Sequence, residues 1–116
     1  MKENPQRRST TTRAGQVVWI KFDFDQPWES HPAVILGTEG GHLRVVSGTS
    51  QLWHEGDNEG FVKVDDGCGL AKPTYFQVTE VYLVPISRVR KIAGEIPDGL
   101  FREIRERADS LCVPTD

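Results

Sequence analysis

Between Gly15 and Gln51 the chain sets two apolar, strand-like runs on either side of a short polar loop. In the first, Gln16–Val17–Val18–Trp19–Ile20–Lys21–Phe22–Asp23–Phe24, the residues Val18, Ile20, Phe22 and Phe24 fall on one face, with Lys21 and Asp23 on the other. That period of two predicts a half-buried strand. The loop Asp25–Gln26–Pro27–Trp28–Glu29–Ser30–His31 interrupts it. Pro32–Ala33–Val34–Ile35–Leu36 is apolar without a break, which predicts a more central strand. Thr38–Glu39–Gly40–Gly41 then offers two glycines able to take positive φ, a turn signal. His42–Ser47 returns as a third strand, paired with the second as a hairpin. Polar side chains thereby gain two places to converge: the loop mouth, where His31 opens a strand, and the hydroxyl-rich end of the third strand, Ser47–Gly48–Thr49–Ser50–Gln51.

The rest of the chain is coarser. Leu52–Gly69 is the least regular part, with a short strand at Phe61–Val64 between turns. Thr74–Val84 predicts a second strong strand, stopped by Pro85, and Ser87–Lys91 a short helical turn or irregular connector. A helix closes the chain. Pro97 suits its first turn and Asp98 its positive end. Leu100, Phe101, Ile104, Ala108 and Leu111 form one apolar stripe, and Pro114 ends it. Five or six short strands with one terminal helix predict a mainly-β fold: a small, strongly curved SH3-like barrel whose C-terminal helix covers one open end.

At 116 residues this is one domain, over 15–113, of a size that makes oligomerisation a natural way to extend the core. The net charge of −3 hides an asymmetry. Lys2, Arg7, Arg8 and Arg13 against Glu3 make the first 15 residues basic, while the remaining 101 carry 10 basic and 16 acidic residues. Residues 1–14, rich in Ser and Thr, read as a disordered basic tail. The acidic body argues against long duplex DNA, whose affinity rests on phosphate neutralisation, but not against a short RNA contact. Cys68 and Cys112 sit in no metal-ligand spacing, so two reduced thiols and no metal or cofactor are expected. No apolar run reaches the roughly 20 residues of a membrane helix, and the polar N-terminus lacks a secretory h-region. A cytoplasmic location with no membrane contact is the resulting expectation.

Five segments in series resemble the MazF/PemK growth-inhibitor toxins: Gly15–Gln16–Val17–Val18–Trp19–Ile20, His31–Pro32–Ala33–Val34–Ile35–Leu36, Gly48–Thr49–Ser50–Gln51, Leu70–Ala71–Lys72–Pro73–Thr74–Tyr75 and Gly94–Glu95–Ile96–Pro97–Asp98. The resemblance covers about residues 15–112. It implies an SH3-like barrel with a C-terminal helix, a homodimer, metal-independent cleavage of single-stranded RNA, and a cognate antitoxin that blocks the RNA groove. The family's main catalytic Arg precedes the Pro–Ala strand; here that position is His31. Its Thr–Ser pair matches Thr49 and Ser50. Where the family often carries Asp–Gln in the later strand, this chain has Thr79–Glu80.

Cleaving RNA by attack of the 2′-hydroxyl needs a base, a stabiliser for the phosphorane charge and an acid for the leaving oxygen. An Arg fork binds phosphate bidentately; His31 instead offers proton transfer near neutral pH. The expected catalytic set is His31, Thr49 and Glu29, with Glu29 orienting His31 or carrying a second proton. Trp28 by base stacking, Ser50, Gln51 and Lys72 form the expected substrate-binding set. Trp53 and His54 are weaker candidates for substrate contact, and His42 is expected to be merely exposed. The alternative is a non-catalytic binding module of the same fold that engages a protein or nucleic acid.

Overall fold

The computed structural model describes residues 12–50, 60–64 and 68–111, with side chains through Ser110. Its strands are β1 (Gln16–Ile20), β2 (His31–Glu39), β3 (His42–Thr49), β4 (Phe61–Val64), β5 (Thr74–Gln77), β6 (Tyr82–Pro85) and β7 (Val89–Glu95), followed by the helix α1 (Asp98–Leu111). All pairings are antiparallel, in the order β4-β5-β3-β2-β1-β7 with β6 also on β3. The fold is mainly β with one terminal helix, as expected.

The first hairpin follows from its turn. Glu39 pairs with His42, leaving Gly40 and Gly41 as a two-residue loop with φ of +54° and +84°. Only glycine takes two successive positive φ values without a steric penalty, and such turns match the twist of the strands they join.

Alternation along β1 and β2 feeds two cores rather than one. Val17, Val34 and Val46 lie in register across three strands and belong to a core with Leu36, Phe76, Ile104 and Ala108. Their neighbours Val18, Ala33, Ile35 and Val45 face the other way and pack with Ile20, Phe22, Leu43 and Val84. Burial on both faces explains why Pro32–Leu36 is apolar without interruption. The helix stripe seals the first core: Ile104 and Ala108 are buried, with Leu100 and Phe101 packed beside them. Each fully buried aliphatic of this size contributes about 1.5–3 kcal/mol of transfer free energy. Pro97 sits just before the helix and its carbonyl accepts the Phe101 N–H at 2.9 Å.

Three expectations are corrected. The first strand stops at Ile20 instead of reaching Phe24. The Asp25 N–H bonds back to the Phe22 carbonyl at 3.0 Å, and the Asp25 carboxylate accepts the Phe22 N–H at 2.9 Å. This reciprocal turn removes the backbone from the sheet while Phe22 still reaches the core; Phe24 is left 58% exposed. The single strand expected over Thr74–Val84 is two strands. Both lie along β3, but residues 78–81 form an excursion between β5, where Phe76 lies opposite Gly48, and Tyr82, opposite Val45. Finally, the short helical turn or irregular connector expected over Ser87–Lys91 is present as a 3₁₀ turn, but only over Ile86–Arg88; Val89–Lys91 already belong to β7.

Of the stretch expected as a basic tail, residues 1–11 lie outside the described residues. Arg13 is tied to the body: its side chain pairs with Glu95, and its N–H bonds to Gln16 Oε1 at 2.8 Å.

Candidate functional site

The polar end of β3, the start of β2 and the segment leading into β5 meet at one cleft of about 320 Å³. Register accounts for the meeting. Ile20 pairs with His31 and Trp19 with Pro32, which places the β2 start beside the end of β1. Gly48 and Thr49 pair with Phe76 and Tyr75, which brings Lys72 and Thr74 to the same rim. Gly48 is indispensable to this closeness. A Cβ there would stand 2.7 Å from Phe76 Cε1 and 2.8 Å from Thr74 Cγ2.

Among the expected site residues, His31, Thr49, Ser50 and Lys72 all line the cleft. Trp28 and Glu29 do not. Trp28 stands 79% exposed on the loop, and Glu29 Oε1 accepts the Gln26 N–H at 2.9 Å, closing a local turn. Gln51, Trp53 and His54 lie outside the described residues, as does Cys112. His42 is exposed, its ring 3.4 Å from the Gly40 carbonyl.

The group beside His31 is not Glu29 but Asp25. The Asp25 carboxylate is 1% exposed, and its Oδ1 lies 2.9 Å from His31 Nδ1. Nδ1 is shielded from solvent, and the contact does not have the geometry of a hydrogen bond. The His31 side chain keeps 39% exposure on the rest of its ring. Phe22 and Phe24 stack at 5.0 Å and present their edges to the imidazole at 6.4 and 5.6 Å, with interplanar angles of 64° and 63°. The loop carrying Asp25 is fastened at its base and to the start of β7, the strand beside β1. Lys21 Nζ donates to the Asp25 carbonyl at 3.1 Å, Arg88 reaches the Lys21 carbonyl and pairs with Asp23, and Arg90 reaches the Pro27 carbonyl at 3.4 Å.

Trp19 and Thr74 complete the cleft wall and were not legible as site residues. Trp19 lies opposite Val18 and Ile20 by alternation, which marks its face but not what it meets. Among the described residues no three His, Cys, Asp or Glu side chains gather as a metal site, and no helix is long and apolar enough to cross a membrane.

No protein-family model matches the chain, and no curated protein matches it in sequence. Solved structures match it closely in shape. The MazE–MazF complex of Deinococcus radiodurans in its Form-III crystal superposes with a TM-score of 0.69 at 20% identity, over 86% of this chain and 94% of that one. The Mycobacterium tuberculosis toxin MazF-mt6 gives 0.66 at 17% identity, over 83% and 94%. The chain has the MazF fold. A mycobacterial endoribonuclease solved with its cognate antitoxin extends the likeness to 90% of this chain and all of that one, with a TM-score of 0.64 at 14% identity. On this MazF frame the cleft holds a histidine at the opening of β2, two hydroxyls at the end of β3 and one lysine on the rim.

Proposed function

We propose that this protein is the toxin of a toxin–antitoxin pair, a metal-independent endoribonuclease that cleaves single-stranded RNA and so inhibits growth. The carrying observation is the convergence of His31, Thr49, Ser50 and Lys72 on one cleft of about 320 Å³, of the size that takes a few nucleotide groups rather than a duplex. The MazF fold, and the antitoxin bound to two of its solved neighbours, support the reading. A homodimer and a cytoplasmic setting belong to the same proposal.

The chemistry is an internal phosphoryl transfer. The 2′-oxygen forms a bond to phosphorus as its proton leaves for a base, and the bond from phosphorus to the 5′-oxygen breaks as that oxygen gains a proton. The products are a 2′,3′-cyclic phosphate and a 5′-hydroxyl. His31 supplies proton transfer, a role an imidazole performs near neutral pH. Thr49 and Ser50 donate hydrogen bonds to the non-bridging oxygens, and the Lys72 ammonium offsets the growing phosphorane charge as a point charge rather than as a fork. Bases are selected by groups beyond the phosphate; Trp28 on the loop and Gln51 are the proposed contributors.

The experiment is incubation of the pure protein with a mixed RNA pool in EDTA, followed by mapping of the cut ends. Cleavage at a short recurring sequence, lost in His31→Ala, is the expected result. Intact RNA at micromolar protein would sink the proposal. The presence of His31 where a phosphate-binding fork is usual favours one second reading, a non-catalytic binding module. Normal growth on expression without a partner, with intact RNA in vitro, selects that reading.

A further inference from the structure

The reading of His31 as the proton-transfer group leaves open which of its nitrogens does the work, and a residue outside the cleft lining decides it. We infer that Asp25 is a positioning residue. It holds the proton of neutral His31 on Nδ1, leaves Nε2 as the basic nitrogen, and supports the imidazolium that forms when Nε2 takes the 2′-hydroxyl proton. This inference rests on the proposed endoribonuclease reading.

The geometry points there from three directions. The two carboxylate oxygens of Asp25 have separate tasks. Oδ2 accepts the Phe22 N–H at 2.9 Å, which fixes the turn, while Oδ1 is spent on His31 Nδ1, also at 2.9 Å. An ionised carboxylate has only acceptor sites, and a ring nitrogen without hydrogen is also only an acceptor. Two shielded acceptors at that distance would repel, which assigns the hydrogen of neutral His31 to Nδ1 even though the 2.9 Å contact is not aligned as a hydrogen bond. The pair is also immobilised. Asp25 is 1% exposed, its carbonyl is held by Lys21 Nζ, and the imidazole is flanked by the edges of Phe22 and Phe24. The charged group in contact with the ring is therefore Asp25 from the loop, while Lys72 lines the same cleft; the aromatic rings carry no charge. Finally, the shielding is one-sided. Nδ1 is enclosed while the ring as a whole stays 39% exposed, so the solvent and substrate side belongs to the rest of the imidazole.

A purely structural role for Asp25, fixing the Phe22–Asp25 turn, uses Oδ2 alone. Asp25→Asn separates the two roles. The asparagine oxygen can still accept the Phe22 N–H, but its NH₂ then faces Nδ1 and asks for a bare nitrogen there, which moves the histidine proton to Nε2. The same logic makes an Asp-to-Asn change in a Ser-His-Asp triad costly through the wrong tautomer.

The test is long-range ¹H–¹⁵N NMR on the ¹⁵N-labelled full chain at about pH 8.5, some two units above the ordinary imidazole value, with the His31 signals identified by their absence in His31→Gln. Wild type is expected to show a protonated Nδ1 and a bare Nε2, and Asp25→Asn the reverse. In RNA cleavage, Asp25→Asn is expected to lower kcat by about 10²–10⁴-fold with KM changed by less than about threefold, since binding does not use this proton. A wild-type proton on Nε2, an unchanged tautomer in Asp25→Asn, or an unchanged kcat overturns the inference. Should Asp25→Asn fail to give the wild-type circular dichroism, the wild-type tautomer decides alone. Uncut RNA alongside the expected tautomers overturns the endoribonuclease reading and leaves the hold of Asp25 on His31 standing.

Discussion

Gly48 lies flat against the Phe76 ring, so close that a single added methyl would overlap Cε1 at 2.7 Å. Phe76 is fully buried among the first-core residues and has no room to withdraw. Gly48→Ala therefore forces β3 and β5 apart at the point where Thr49 enters the cleft. We expect a loss of about 1–3 kcal/mol, the usual cost of overpacking, read as a lower urea midpoint with an unchanged slope. A parallel drop in RNA cleavage is expected to exceed what the remaining folded fraction accounts for.

Ile104 is the residue through which α1 holds the sheet. It is completely buried against the Val17, Val34 and Val46 row's core. Ile104→Ala removes its burial and leaves a cavity, so a loss of about 2–5 kcal/mol is expected in chemical denaturation. A loss under about 0.5 kcal/mol, the range of ordinary surface changes, would show that the helix is not seated there.

Tyr82 has its phenol pushed above the ordinary value of 10.0 by burial, and further by the charge of Glu80 and a hydrogen bond to it. The folded state thus keeps this proton while the unfolded chain gives it up. Stability linked to Tyr82 is complete below pH 10 and declines as pH rises from there through the raised value. Tyr82→Phe is expected to flatten the alkaline arm of a stability-versus-pH curve. The 295 nm absorbance difference between wild type and the variant should have its midpoint above 10.

Lys72 is exposed on the cleft rim, so its removal should leave stability nearly unchanged. Lys72→Ala is expected to weaken binding of a non-cleavable single strand and to reduce the slope of log affinity against log salt by about 0.7, one phosphate contact on a single strand. An unchanged slope would mean that Lys72 touches no phosphate.

The parts of the fold legible in the sequence were those set by local rules. Two adjacent glycines demanded the Gly40–Gly41 turn, an unbroken apolar run marked β2 as central, and a helical stripe marked α1. The parts that were not legible depend on contacts between distant segments. β7 lacks alternation because its pairing with β1 shifts register twice, between Val17 and Val18 and between Trp19 and Ile20. Phe22 continued the period of β1 although the backbone had already turned, since a side chain can reach the core from outside the sheet. For the site, His31, Thr49, Ser50 and Lys72, read from the sequence as site residues, line one cleft. Glu29 is two residues from His31 in sequence, but the carboxylate that meets the ring is that of Asp25, six residues away, because the Phe22–Asp25 turn folds it back.

Burial of β2 on both faces has one further consequence. In a one-sided sheet, slipping a strand by a residue exposes apolar groups to water and is heavily disfavoured. Within β2 itself a slip would exchange the memberships of two apolar cores, so the apolar pattern of this strand does not choose its register, and β3, which keeps His42 and Arg44 exposed, carries more of that choice. The Gly40–Gly41 loop, at the opposite end of β3 from Thr49, sets the first pairs, and a one-residue shift between Ile35 and Gly37 adjusts those beyond it. A single residue inserted in that loop would turn β3 over relative to β2 and move Thr49 from its place in the cleft lining. The reach of the cleft is thus measured out at the far end of the hairpin, by counting.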